Sequence, residues 1–225
     1  MTLQRIVALS SATAGRDKVL RLLQYVSRFG AAFLLSRPKL LRAASEMAQR
    51  LDLLDKAVGD GRKAFRLLKS LHEVDKIPRK LSAGGGAATV ALGVGGSAAL
   101  ALFLAHDNMV WLVKHKILRG VEINTMKRRA GMFWFCGLSC ALLLELPKAA
   151  AGAAPAGQAE GEEARKRRRA RAASRMNSLR LALDLSMAVH MARPGQGTLS
   201  NVNAGIIGTA SSLLGLIPLW AKTRQ

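Results

Sequence analysis

Residue types that could do chemistry are few and scattered in this chain of 225 residues. The four histidines, His72, His106, His115 and His190, stand far apart. None has an acidic or thiol partner at metal-site spacing such as HExxH. There is no GxSxG elbow, P-loop or CxxC. The glycines at Gly84 to Gly86, Gly93, Gly95 and Gly96 lack the Lys-Ser/Thr and the preceding strand of a phosphate loop. Cys136 and Cys140 lie four apart in an apolar segment, where they would share a helix face with diverging side chains. They are expected to remain buried free thiols. Asp107 and Glu145 border apolar tracts, as boundary caps or as intramembrane proton carriers, and the caps are favoured. These residues predict no catalytic, cofactor or metal site, and the chain is not expected to be an enzyme.

What remains is electrostatic. A formal charge of +21 and a pI near 11.4 call for a polyanionic partner, either nucleic acid or anionic headgroups. No zinc finger, RNP sequence or GxxG clamp is present, so an anionic phospholipid membrane is the expected partner and nucleic acid is not. The candidate headgroup-binding residues are Arg62, Lys63, Arg66 and Lys69, each able to contribute roughly 1 kcal/mol at an anionic surface. They belong to the stretch 60–76, in which Ala64, Phe65, Leu67, Leu68, Leu71 and Val74 gather on one side of a helical wheel. That apolar side is the candidate membrane-inserting face. At about 1.5 Å per residue the helix is some 25 Å long, and its charges would be stranded mid-bilayer, so it should lie along a surface. The competing reading is an apolar face packed into a soluble bundle.

The elements around this stretch are read from composition and periodicity. Half of the residues are hydrophobic but only 4% are aromatic. A mixture rich in Ala, Gly and Leu predicts an all-α, membrane-associated protein. Residues 1–80 form a basic region of three amphipathic helices at the membrane surface. The first, at 16–33, sets Val19, Leu22, Leu23 and Val26 against Arg21 and Arg28. The second covers 39–58, and Gly59, Asp60 and Gly61 mark a break, with Asp60 as N-cap of the third. Residues 81–148 hold weakly hydrophobic membrane segments and a basic loop. A span is placed at 90–104, and fifteen apolar residues at 130–144 could either cross or lie shallow. Residues 149–175 are a flexible Ala/Gly and Arg-rich linker, its basic run at 165–171 touching headgroups. Residues 176–225 comprise a helix at 176–191 and a C-terminal transmembrane segment ending at Trp220. Gly208, Ser211, Ser212 and Gly215 give that segment a small-residue face for packing another helix. The first fifteen residues have no long apolar core of a secretory signal. Their lack of acid leaves a mitochondrial membrane organiser as an alternative.

Four stretches then align in order with one family. Residues Gly15 to Val19 with Gln24 and Tyr25, Arg62 to Arg66, Asp107 to Trp111, and Gly208 to Gly215 resemble motifs of the peroxin-11 family, whose members proliferate peroxisomes. The Gly-rich tract near Gly84 to Gly96 and the Arg-rich run depart from its pattern. The resemblance implies a peroxisomal membrane protein with a cytosolic N-terminus. It implies that the amphipathic helix at 62–74 inserts to curve and elongate the membrane before fission by a dynamin-related GTPase and its adaptor. One copy would bind weakly, so curvature calls for self-association into homo-oligomers. A pore or metabolite channel in the same membrane is the alternative the family carries.

Overall fold

The structure is a computed structural model that describes residues 2–37, 42–150 and 161–223. Among these residues it is all helical, with no strand. The helices are α1 (Thr2–Ser11), α2 (Thr13–Leu35), α3 (Arg42–Ala64), α4 (Lys69–Ser82), α5 (Ala87–Lys114), α6 (Ile123–Ala150), α7 (Glu162–Ala192) and α8 (Asn201–Lys222). Three of them, α5, α6 and α8, are long and apolar enough to cross a membrane. The apolar tract at 130–144 is thus part of a 28-residue helix that starts earlier and runs through Glu145.

Several boundaries differ from the sequence reading. Gly59 and Gly61 do not break the chain, because α3 runs through both. A helical glycine costs about 1 kcal/mol, and at Gly59 the missing Cβ admits the side chain of Gln24 from α2, which a Cβ would meet at 2.7 Å. Asp60 is accordingly no N-cap; it pairs with Lys114 of α5. The break falls instead at 65–68, where short-range bonds such as Arg66 N–H to Lys63 O at 3.0 Å and Lys69 N–H to Arg66 O at 3.1 Å replace the α pattern. Leu68 closes it with φ of 63°, a left-handed conformation that costs a residue with a side chain about 1 kcal/mol. The helix expected at 60–76 is therefore two helix ends joined by a turn.

The basic run also differs, since 165–171 lies inside the 31-residue α7 rather than in a flexible linker. Arg, Lys, Ala and Glu are strong helix formers. Glu162 and Glu163 occupy the first turn, where the helix dipole favours acid, and face Lys166 and Arg167 one turn on. The Ala/Gly part of that linker, 151–160, lies outside the described residues.

Neighbouring helices are antiparallel. Glycines of α8 lie against α2, Gly205 on Phe29, Gly208 on the Tyr25 ring and Gly215 on Lys18. Along α6 and α7, Glu145 meets Ser174 and Gly131 meets Ala192. Along α5 and α6, Gly96 meets Cys140 and Phe103 stacks on Trp134 at 5.3 Å. Trp134 touches all three apolar clusters, which are built on Tyr25 with Met187, Phe103 with Leu104, and Leu138 with Leu181. Helix α4 folds back on α5 through glycines of positive φ, Gly84 (68°) and Gly85 (120°). Among the described residues it packs on no other helix.

Candidate functional site

The polarity of α2 is inverted relative to a soluble bundle. Arg21, Tyr25 and Ser27 are buried, while Val19, Leu23 and Val26 are exposed. Leu22 is half-buried. Arg21 and Arg28 each have a partner from another helix. Arg21 binds Asp184 of α7, which also receives Arg180 at 3.1 Å and the Ser211 hydroxyl of α8 at 2.5 Å. Arg28 grips Asp55 of α3 through two hydrogen bonds at 2.9 and 3.2 Å. Burial works to raise Asp184 and Asp17. Their arginine neighbours outweigh it and hold both carboxyls below the usual range.

The residues read as headgroup contacts divide sharply. Arg62 is buried, donating to Asp17 at 3.1 Å and to the Gln24 carbonyl at 2.7 Å. Lys63 and Arg66 converge on Asp107 of α5 at 3.4 and 3.1 Å. Asp107 is itself only 2% exposed. It lies within α5, where it clasps the end of α3 and the following turn rather than capping a boundary. Lys69 alone of the four is exposed without a partner among the described residues. The apolar residues beside them turn the other way. Ala64 is half-buried, and Phe65 (68%), Leu67 (42%), Leu68 (69%), Leu71 (60%) and Val74 (51%) are exposed. Leu81, at 60%, extends this apolar surface to the end of α4, where Lys80 ties the helix to Gly93 O and the Ser97 hydroxyl of α5.

Gly208, Ser211, Ser212 and Gly215 are all buried, brought together against α2 and α7 of the same chain. Their face is occupied, so contact with a second copy requires another surface. Cys136 is exposed and Cys140 half-buried on α6, contrary to the expectation of buried thiols. Glu145 accepts from the Ser174 hydroxyl at 2.8 Å and lies 3.6 Å from Lys148.

Between the α2 and α3 hairpin and helices α4 to α7 lies a cavity of about 850 Å³. Its lining carries nearly twice as many Lys and Arg as Asp and Glu. The residues that sequence reasoning missed are the carboxylates that organise it, Asp17, Asp55 and Asp184. One signal was available: the chain has 14 acids against 35 strong bases, so each acid within an amphipathic or apolar stretch is a candidate interior partner.

Inverted polarity, three apolar helices of membrane-crossing length and a basic surface define a helical membrane protein. The sequence matches the family Peroxisomal biogenesis factor 11 (PEX11) over residues 3–220, and the chain belongs to that family. It is 30% identical over 142 residues to a protein of Arabidopsis thaliana named Peroxisomal membrane protein 11D, and 31% identical over 142 residues to Peroxisomal membrane protein 11C of the same plant. Both matches take in 63% of this chain and 54% of the relative, so the chain spans about half the length of these curated relatives. No solved structure matches.

Proposed function

We propose that this protein works in the peroxisomal membrane with its N-terminus toward the cytosol. There the surface at 65–81 enters the outer leaflet and curves and elongates the membrane ahead of fission. The observation that carries this reading is the run of outward apolar side chains, Phe65, Leu67 and Leu68 on the turn and Leu71, Val74 and Leu81 on α4, a helix that among the described residues packs on α5 alone. Moving such side chains out of water is worth about 25 cal/mol per Å², several kcal/mol gross for the set, less the cost of ordering them. Wedging them among headgroups widens one leaflet. Of the four basic residues, Lys69 is the one without a partner among the described residues and meets lipid phosphate, while Arg62, Lys63 and Arg66 set the angle of the segment. A single copy binds weakly, so the action requires many copies, gathered through faces other than the covered glycine side of α8. A dynamin-related GTPase and its adaptor would complete scission.

The test is imaging of the tagged protein beside peroxisomal markers, comparing overproduced wild type with Leu67→Glu/Leu71→Glu. Wild type is expected to elongate or multiply peroxisomes, and the double variant to reach them and leave them round. Equal remodelling by both would overturn the reading. The cationic cavity favours a second reading, a metabolite pore. In that case Asp107→Asn or Lys114→Met would change solute flux across reconstituted vesicles while peroxisome shape stays normal.

A further inference from the structure

We infer that the cavity between α2 and α7 binds a doubly charged phosphate group, with Lys18 as its central donor and Arg21 and Arg180 beside it. Every carboxylate on the lining already has a cation: Asp17 has Arg62, Asp55 has Arg28, Asp60 has Lys114, Glu73 has Lys76, Asp107 has Lys63 and Arg66, and Asp184 has Arg21 and Arg180. Lys18 has neither an ion pair nor a hydrogen bond among the described residues, although it lines the cavity and its stem lies 3.4 Å from the Cβ position of Gly215. Around this point four cations, Lys18, Arg21, Arg62 and Arg180, face two carboxylates, Asp17 and Asp184. The local surplus is two positive charges, the charge of a phosphomonoester or inorganic phosphate dianion.

A partly desolvated ammonium with no counter-ion is unfavourable as it stands, and an anion placed there would relieve it. The chemistry suits phosphate in particular. Several oxygens can accept from an ammonium, which acts as a point charge, and from the guanidinium N–H groups that Asp184 and, at Arg180, Asn177 leave unused. Burial, with Arg21 and Arg180 adding to it, holds the Lys18 ammonium down to about 8. The phosphate could be that of a soluble organic phosphate or of an anionic lipid headgroup, and the site stands independently of the curvature reading.

The experiment uses the full chain in a non-ionic detergent. Thermal unfolding is followed against sodium phosphate, with sodium chloride at matched ionic strength as reference, and in a second arm against micelles doped with phosphatidic acid or phosphatidylcholine. The expected result is a saturable rise in Tm with phosphate or phosphatidic acid. It should weaken at least tenfold in Lys18→Met, persist in Lys18→Arg and be unchanged in Lys148→Met, on the exposed end of α6. Arg180→Gln, on the opposite wall, should weaken it too, which keeps the test open if Lys18→Met is unstable. A response to free phosphate that phosphatidic acid does not reproduce assigns the site to soluble phosphates, and the reverse assigns it to a headgroup. No response beyond that to chloride in either arm, or a Lys18→Met response equal to wild type, overturns the proposal.

Discussion

Helix α2 and the segment 62–82 have the same sequence character, apolar on one side and cationic on the other, yet the fold uses their polar sides differently. In α2 the inward cations lock into carboxylates of two other helices, Arg21 to Asp184 of α7 and Arg28 to Asp55 of α3, and the helix lies along α8 through close glycine contacts. The segment 62–82 is fixed at its start by Asp17 and Asp107, then passes a turn with a left-handed leucine and continues as α4, which among the described residues packs on α5 alone. One is framework, and the other is a leaf hinged on it. Amphipathicity marks a surface-seeking helix, and only the distribution of counter-charges decides whether its polar face looks inward or toward lipid.

The largest effect should come from breaking the framework. Asp184→Ala leaves Arg21 and Arg180 without a carboxylate in a site where Asp184 is 2% exposed, and removes the acceptor of Ser211. Removing one partner of a buried pair typically costs about 3–5 kcal/mol. Denaturant unfolding in detergent should show a loss of that size. A change within error of wild type would mean that the α2 and α7 contact does not hold the bundle together.

Next comes the hinge. Asp107→Asn keeps the shape of the side chain but removes the charge that draws in Lys63 and Arg66. Both are partly exposed, so the stability loss should be smaller, about 1–2 kcal/mol. The more telling readout is local. Hydrogen exchange should speed up across 63–72 while the centres of α2 and α8 keep their protection, and peroxisome elongation should increase because Lys63 and Arg66 become available to headgroups. Uniform loosening of the whole chain would erase the distinction between framework and leaf.

How far this was legible in the sequence follows the range of the interactions. The all-helical class, the apolar surface of 64–74 and the tract ending at Trp220 rest on local periodicity and hydropathy, which a single sequence displays. The turn at 65–68 was not legible. Gly59 and Gly61 are the stronger local breakers, and only the fit of Gln24 against Gly59 and the pull of Asp107 from some forty residues away move the break. The roles of Arg62, Lys63 and Arg66 were hidden for the same reason, since a basic helix face looks alike whether it meets phosphate or a distant aspartate. The Arg-rich stretch was read through its charge rather than its helix propensity, which governs once Glu162 and Glu163 begin the helix.

The last effect is a pH dependence that separates a filled cavity from an empty one. Lys18 is held at about 8 in the folded chain, against an ordinary value of 10.5. The groups facing it are Asp17 and Arg21 on its own helix and Arg180 and Asp184 on α7, while α8 meets it at Gly215. With its value lowered on folding, the folded chain holds fewer protons than the unfolded chain between about 8 and 10.5, so stability should rise with pH through that window. The charge penalty is fully present below it. Lys18→Met should flatten the rise, measured as the slope of Tm against pH at constant chloride. Saturating sulfate, a dianion whose charge does not change over this range, should flatten it in the wild type as well, because a bound anion draws the Lys18 value back toward 10.5. A slope in wild type that sulfate leaves untouched would mean that Lys18 is desolvated but has no anion site beside it, which would overturn the phosphate proposal.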